Sequence, residues 1–517
     1  MLLLICGFGG AGLLGFAVFW AYVPDPGFGG VLPMLFAQQL QSSTRPIPVF
    51  LVVGWQSSDR PPLQTGYFLL QQSALGTGRF DDYQILGTLL QATWVVGLWA
   101  LLHAAGKPRR AVPLCLAAVL FSGFVIQNSF FTWPKLAAAT GVLLAAAVLL
   151  TPELRALRTG RAAGALVGLS LGIAMLGHPG TLFALIGIVG GIAVLWRLRR
   201  LRPPGWLPPS RRFNAAAAIG FVVSYAPWSA YQRFVDPPGN TPTEVNMAGT
   251  SGPVPGKSTL RVIAEAYRKA GLHQVVTNKE SNYEVPFRHT LGYLREAVAL
   301  PYHLLAGQQA AAQTSAHDIV TWQFFFLGPI LGFTGWGLLV LAARMVRRVA
   351  ARRPLAGLQP EPVWLLCVGI TLLIWPLVLF GGNATLAHQG TYFVEPVLIA
   401  AGVLGFWSLS PKAAAAATAA SCAVTLWVYI GFTPVASVPG SHNTAPVSAA
   451  AAALLAFSIV ACLACLWWIG VEQPSGFGDV PVPVQRSEGC RDVAVIGGGG
   501  SRDAEPASAD GECRQQV

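Results

Sequence analysis

The sharpest chemical signal in the sequence is the segment Trp55-Gln-Ser-Ser-Asp59-Arg60-Pro61-Pro62-Leu63-Gln64. Two consecutive prolines fix an extended turn, which holds the neighbouring Asp59 carboxylate and Arg60 guanidinium in a defined direction. A carboxylate so placed can accept a proton from an attacking hydroxyl, and a guanidinium can grip a phosphate oxygen. The same spacing also suits a local Asp–Arg pair that caps a turn, and the residues alone leave both readings open.

A second cluster, Asn128-Ser-Phe-Phe-Thr-Trp133-Pro134-Lys135, closes a hairpin between two apolar runs. Trp133 and Lys135 are ordinary interface anchors, but a lone cation at that place is also a candidate ligand for a lipid phosphate. His178 opens the turn His178-Pro179-Gly180, either as a turn residue or as a polar group facing a site. Glu395 stands at the start of another apolar run beside Tyr392 and His388. There an acid is favoured by the helix dipole as well as by any ligand. Arg233 lies in Tyr225-Ala-Pro-Trp-Ser-Ala-Tyr231-Gln-Arg233-Phe-Val-Asp236-Pro237-Pro238-Gly239, which opens the longest polar stretch of the chain.

These residues sit at the ends of long apolar runs, and the runs decide which of them can meet. Twelve can be read, from 1–23 to 447–470, and the turns leaving the second, fourth, sixth, eighth and tenth carry eighteen Lys and Arg. The short turns after the third, fifth, ninth and eleventh carry only Lys135. By the positive-inside rule the arginine-rich turns and both termini are cytoplasmic, so Asp59, Lys135, His178 and the 229–320 loop face outward. The expected fold is an all-α integral membrane protein of about twelve spans with a small outer-face cap. Its expected parts are an N-terminal transmembrane module (1–228), the outer loop or cap (229–320), C-terminal transmembrane helices (321–470) and a disordered cytoplasmic tail (471–517). Within the cap, a helical pattern runs over 258–270 and Gly271 ends it.

Composition supports a membrane class and excludes several others. At 53% hydrophobic and 11% charged residues, with a mean hydropathy of +0.54, the chain is too apolar for a soluble domain. The net charge of +12 is accounted for by the loop arginines, so it implies an anionic lipid surface and no nucleic acid. Arg outnumbers Lys 28 to 6, the pattern of a GC-rich genome, which implies a bacterial source and the plasma (inner) membrane. Six of the eight cysteines fall in apolar runs and two in the tail, which is no disulfide framework. The tail sequence Asp492-Val-Ala-Val-Ile-Gly-Gly-Gly-Gly-Ser501 imitates a dinucleotide loop, but too little chain follows it for a βαβ unit. The sequence thus offers no nucleotide site and no metal cluster, and it leaves a divalent metal open.

Taken together, Ser58-Asp-Arg-Pro-Pro-Leu-Gln64 after Pro33-Met-Leu-Phe-Ala37, the Asn128–Lys135 hairpin and the Tyr225–Gly239 segment resemble a group of uncharacterised bacterial multispanning proteins. That group is similar to the GT-C superfamily of lipid-dependent glycosyltransferases, which includes protein mannosyltransferases and aminoarabinose transferases. The resemblance covers roughly 20–410, and Pro61-Pro62-Leu63 matches the superfamily's Pro-Pro-Leu turn. It implies a catalytic acid in the first outer loop. Where related sequences carry one shortly before Pro-x-Leu-Phe-Ala, this chain has Gly29-Gly30-Val31-Leu32, leaving Asp25 as the nearby carboxylate.

The resemblance implies transfer of a sugar from a polyprenyl-phosphate donor to an envelope glycan or protein, with Asp59 or Asp25 as base. Arg60, Lys135 and Arg233 would stabilise the leaving phosphate, and Trp133, His178 and Glu395 would complete the substrate site. The rival readings are a lipid or solute flippase or transporter and a catalytically silent scaffold. Transporters usually carry ionisable groups near the bilayer midplane, and no Asp, Glu, Lys or Arg falls in the middle of these runs.

Overall fold

The computed structural model describes residues 32–42, 56–75, 80–130, 134–198, 202, 205–237, 239–252, 254–351, 361–381, 392–431, 460, 461 and 464. The chain divides into two units after Glu472, and every described residue belongs to the first. The tail, Asp25, Trp133, His388 and the first apolar run lie outside the described residues.

Among the described residues the secondary structure is helical throughout, with no strand. Successive helices are α1 (Leu32–Ser42), α2 (Leu63–Leu75), α3 (Phe80–Ala92), α4 (Trp94–Ala104), α5 (Ala111–Leu120), α6 (Gly123–Phe130) and α7 (Lys135–Leu150). They continue as α8 (Arg161–Gly177), α9 (Thr181–Arg197), α10 (Arg211–Phe234), α11 (Thr241–Ala248), α12 (Thr259–Glu284) and α13 (Thr290–Leu305). The last are α14 (Gln309–Phe325), α15 (Leu327–Leu331), α16 (Gly335–Ala350), α17 (Glu361–Val378), α18 (Val394–Trp407) and α19 (Pro411–Leu426).

Among the described residues three stretches are long and apolar enough to cross a membrane: Leu86–Ala104, Leu327–Ala350 and Glu361–Val378. Two bent pairs, Ala111–Leu120 with Gly123–Ser129 at 61° and Lys135–Leu150 with Pro152–Thr159 at 93°, bring the number to five if each pair is one span. The apolar helices Arg161–Gly177, Thr181–Arg197 and Val394–Trp407 are shorter than the ~20 residues a bilayer core requires. The architecture is therefore that of an all-helical membrane protein, with several elements too short to span it unaided.

Small residues let these helices approach closely. Gly164, Gly168 and Gly172 recur every fourth position on one face of α8, and a Cβ on each would overlap Phe213, Ala217 and Ser224 of α10 respectively. This is small-xxx-small packing, in which backbone proximity and dispersion replace a hydrophobic driving force that lipid does not supply. The same device joins α9 to α17, where Gly187 and Gly191 face Thr371 and Cys367, and α16 to α18, where Gly337 meets Gly402.

Helix ends follow local chemistry. Ser210 accepts the Phe213 amide at 3.1 Å and so caps α10. At the C-terminal end of α7 the fully buried Arg158 donates through Nη1 to the carbonyls of Val148 (3.1 Å), Leu149 (3.2 Å) and Thr151 (2.8 Å). The Trp206 ring lies 5.6 Å from its guanidinium carbon. A cation there satisfies orphan carbonyls and the negative end of the helix dipole, so one of the loop arginines has an architectural task. Gly271 (φ 71°) breaks α12 as the sequence pattern requires, but the chain resumes as helix to Glu284.

Candidate functional site

The opposite end of α7 is where the candidate side chains gather. Pro134 precedes the helix and Lys135 is its first residue, so the side chain points back past the helix N-terminus. Lys135 is 2% exposed, and its Nζ lies 4.8 Å from the centroid of the Tyr392 ring. The Tyr392 hydroxyl donates to Asn128 Oδ1 at 2.6 Å, and Asn128 Nδ2 donates to the Phe124 carbonyl at 2.9 Å. Asn128 thus holds the Tyr392 ring that lies beneath Lys135. Gln91 steadies the same helix end by accepting the Ala137 amide at 3.0 Å.

Arg60 and Glu395 both lie within electrostatic reach of Lys135. Glu395, in the first turn of α18, is fully buried. Burial brings the Arg60 guanidinium down to about 10, against the pull of Asp59 and Tyr83, so it remains charged at neutral pH. His178 ends α8 and accepts the Gly180 amide on Nδ1 at 3.0 Å. Burial, together with Lys135 and Arg60, holds its imidazole well below the usual histidine range.

Lys135, His178, Gly180, Thr181, Tyr392 and Phe393 line a small cavity with Ala138, Ala139, Val142 and Ala184. Its volume of about 20 Å³ holds about one water molecule, so a phosphate would have to widen it. Electrostatics at this place are unfavourable for a lysine in three ways: burial, a second cation nearby and the positive end of a helix dipole. An anion in the cavity would relieve all three.

Asp59 is placed differently. It ends the 3-10 turn Ser57–Asp59, is 3% exposed, and has both oxygens engaged. Gln56 N–H donates to Oδ2 at 2.8 Å, and Thr241 N–H donates to Oδ1 at 2.9 Å. Thr241 is the first residue of α11, so the carboxylate also meets a helix N-terminus. Burial raises the Asp59 carboxyl above its usual range despite these donors and Arg60. Asp236 makes a parallel tie, accepting Ser57 Oγ at 2.5 Å and the Ser58 amide at 3.0 Å. Gln232 Nε2 donates to the carbonyls of Ser58 (2.9 Å) and Gly239 (3.1 Å). The turn that carries Arg60 is therefore strapped to the segment from Tyr231 to Thr241 by side-chain and backbone hydrogen bonds.

The structure thus brings Arg60, Lys135, His178 and Glu395 into one neighbourhood and gives Asp59 an anchoring geometry beside it. Arg60 and Glu395 stand beside the cavity without lining it, and Arg233 is exposed near the C-terminal end of α10. Asp25 and Trp133 lie outside the described residues. Sequence reasoning had no expectation for the Ser57–Asp236, Asp59–Thr241 and Gln232–Ser58 ties. The available signal was the recurrence of a carboxylate shortly before Pro-Pro, at Asp59–Pro62 and at Asp236–Pro238.

No protein-family model and no curated protein matches the chain. Among solved structures it is similar to the archaeal oligosaccharyltransferase AglB from Archaeoglobus fulgidus, in complex with an inhibitory peptide and a dolichol-phosphate. The TM-score is 0.39 at 14% sequence identity, over 89% of this chain and 55% of that one.

Proposed function

We propose that this chain is a membrane glycosyltransferase that moves a sugar from a polyprenyl-phosphate donor to a cell-envelope glycan or protein on the outer face of the plasma membrane. The observation that carries the reading is that Lys135 and His178 line one small cavity at the buried N-terminal end of α7, with Arg60 within electrostatic reach of both. Arg60 and Lys135 come from the motifs that resemble lipid-dependent glycosyltransferases.

In such a transfer the acceptor oxygen attacks the anomeric carbon, the bond from that carbon to the phosphate oxygen breaks, and the electron pair leaves with the phosphate. Arg60 and Lys135 hold the charge that develops there, in a site with little water to compete. The acceptor proton goes to a carboxylate. Asp59 accepts one backbone amide on each oxygen, which positions the turn that carries Arg60 and leaves a lone pair on each oxygen; the base is Asp59 or Asp25.

The test is transfer from a polyprenyl-phosphate sugar by purified protein in lipid nanodiscs. Lys135→Ala and Arg60→Ala should each lower transfer by about 10²-fold or more. Lipid movement across a bilayer without transfer would put the flippase reading ahead, and absence of donor binding would leave the scaffold.

A further inference from the structure

We propose that His178 acts as a neutral N–H donor to the phosphate held by Lys135 and Arg60, and that it neither carries charge nor takes up the acceptor's proton; this rests on the phosphate-site reading. One hydrogen bond fixes the tautomer. The Gly180 backbone N–H lies 3.0 Å from His178 Nδ1. A backbone amide only donates, so Nδ1 must be the accepting nitrogen and the ring hydrogen sits on Nε2. The turn holds this arrangement: Thr181 N–H donates back to the His178 carbonyl at 3.1 Å, and Thr181 Oγ1 donates to the Ala174 carbonyl at 3.2 Å.

The surroundings keep the ring neutral. Protonating Nδ1 would break the Gly180 bond and place a third positive charge beside Lys135 of α7 and Arg60 of the turn before α2. Glu395 of α18 lies within reach of Lys135, and Tyr392 faces the same cavity with its hydroxyl committed to Asn128. His178 lines the cavity, and with Nδ1 accepting the Gly180 amide, Nε2–H is the nitrogen left for a ligand. Two cations and one uncharged donor suit a phosphodiester, whose single negative charge needs partial neutralisation and an oriented hydrogen bond.

The test measures binding of a polyprenyl-phosphoryl sugar to the purified full-length protein in nanodiscs. Such a donor is a diester and keeps one charge between about pH 5 and 8, the range in which a free histidine titrates. Affinity of the wild type should be flat across that range. His178→Asn keeps an oxygen for the Gly180 amide but loses the distal donor, so it should fold normally and bind about tenfold or more weakly. His178→Gln keeps a distal N–H and should bind within about threefold of the wild type. A purely structural histidine would give the reverse order, with Asn binding normally and Gln poorly, and would overturn the proposal. So would a wild-type affinity that falls about tenfold per pH unit above about pH 6, the signature of an imidazolium ligand. Should Lys135→Ala and Arg60→Ala leave binding unchanged, the phosphate site itself fails. Should they weaken it while His178→Asn does not, only the role of His178 fails.

Discussion

Replacing Asp59 by alanine removes the acceptor for two buried amides, Gln56 N–H at 2.8 Å and Thr241 N–H at 2.9 Å. Each hydrogen bond to a charged group contributes ~1.5–3 kcal/mol, and an orphaned buried donor costs a similar amount. Part of this is offset because the carboxylate no longer has to be buried, leaving a net loss of about 2–4 kcal/mol. The loss is local, since it releases the turn before α2 from the N-terminus of α11. Amide exchange over 239–248 should therefore accelerate by about 30-fold or more, whereas exchange in the α8–α10 pair should not change. Asp59→Asn keeps one acceptor and should show roughly half the effect. Transfer should fall in proportion to the opening of the strap, with the larger loss in the alanine variant. Suppose instead that Asp59→Asn leaves exchange unaltered and lowers transfer by about 10²-fold. That result would refute the anchoring geometry and make Asp59 the base.

The remaining predictions concern charge and packing. The folded His178 titrates below the free imidazole near 6.5, so below that pH the unfolded chain binds a proton that the folded chain does not. Stability should be full above about pH 6.5 and fall with decreasing pH, by up to ~1.4 kcal/mol per unit until the folded-state value is reached. Thermal unfolding of His178→Gln should lack that component. Lys135→Met should destabilise the protein more than Lys135→Met combined with Glu395→Gln, because the single change leaves a buried carboxylate without its nearby cation; equal melting temperatures would contradict the pairing. Gly168→Leu should abolish close contact between α8 and α10 and cost about 3 kcal/mol or more, measured as loss of monodisperse protein on extraction. Gly369→Ala, with open space around the α carbon, should be neutral.

Helices were legible in the sequence where an apolar run ends at a residue with a clear local preference. The run at 136–150 corresponds to α7 beginning at Lys135 after Pro134, and Gly271 breaks α12 at the expected place. The helix beyond that break was less legible, because α12 resumes on contacts with α17. Asn282 Nδ2 donates to the carbonyls of Pro376 and Leu379, both at 2.9 Å, and no local propensity encodes those bonds. The polar residues of the site could be noticed because they stand at the ends of apolar runs, where a charge needs a reason. Their partners could not be read, since Asp59 and Thr241 are 182 positions apart and a side-chain bond to a backbone amide leaves no compositional trace. Arg158 is the reverse case. It counts among the loop arginines that orient the chain, and only the fold shows it folded back onto the carbonyls of Val148, Leu149 and Thr151 at the end of α7.

The central claim, that the end of α7 holds the phosphate of a lipid-linked sugar, is tested most directly by a cryo-electron microscopy structure of the protein with a polyprenyl-phosphoryl sugar bound. The bound donor should widen the cavity and place phosphate oxygens about 3 Å from Lys135 Nζ, an Arg60 guanidinium nitrogen and His178 Nε2. A donor whose phosphate rests elsewhere, with the cavity still closed over Lys135, would contradict it.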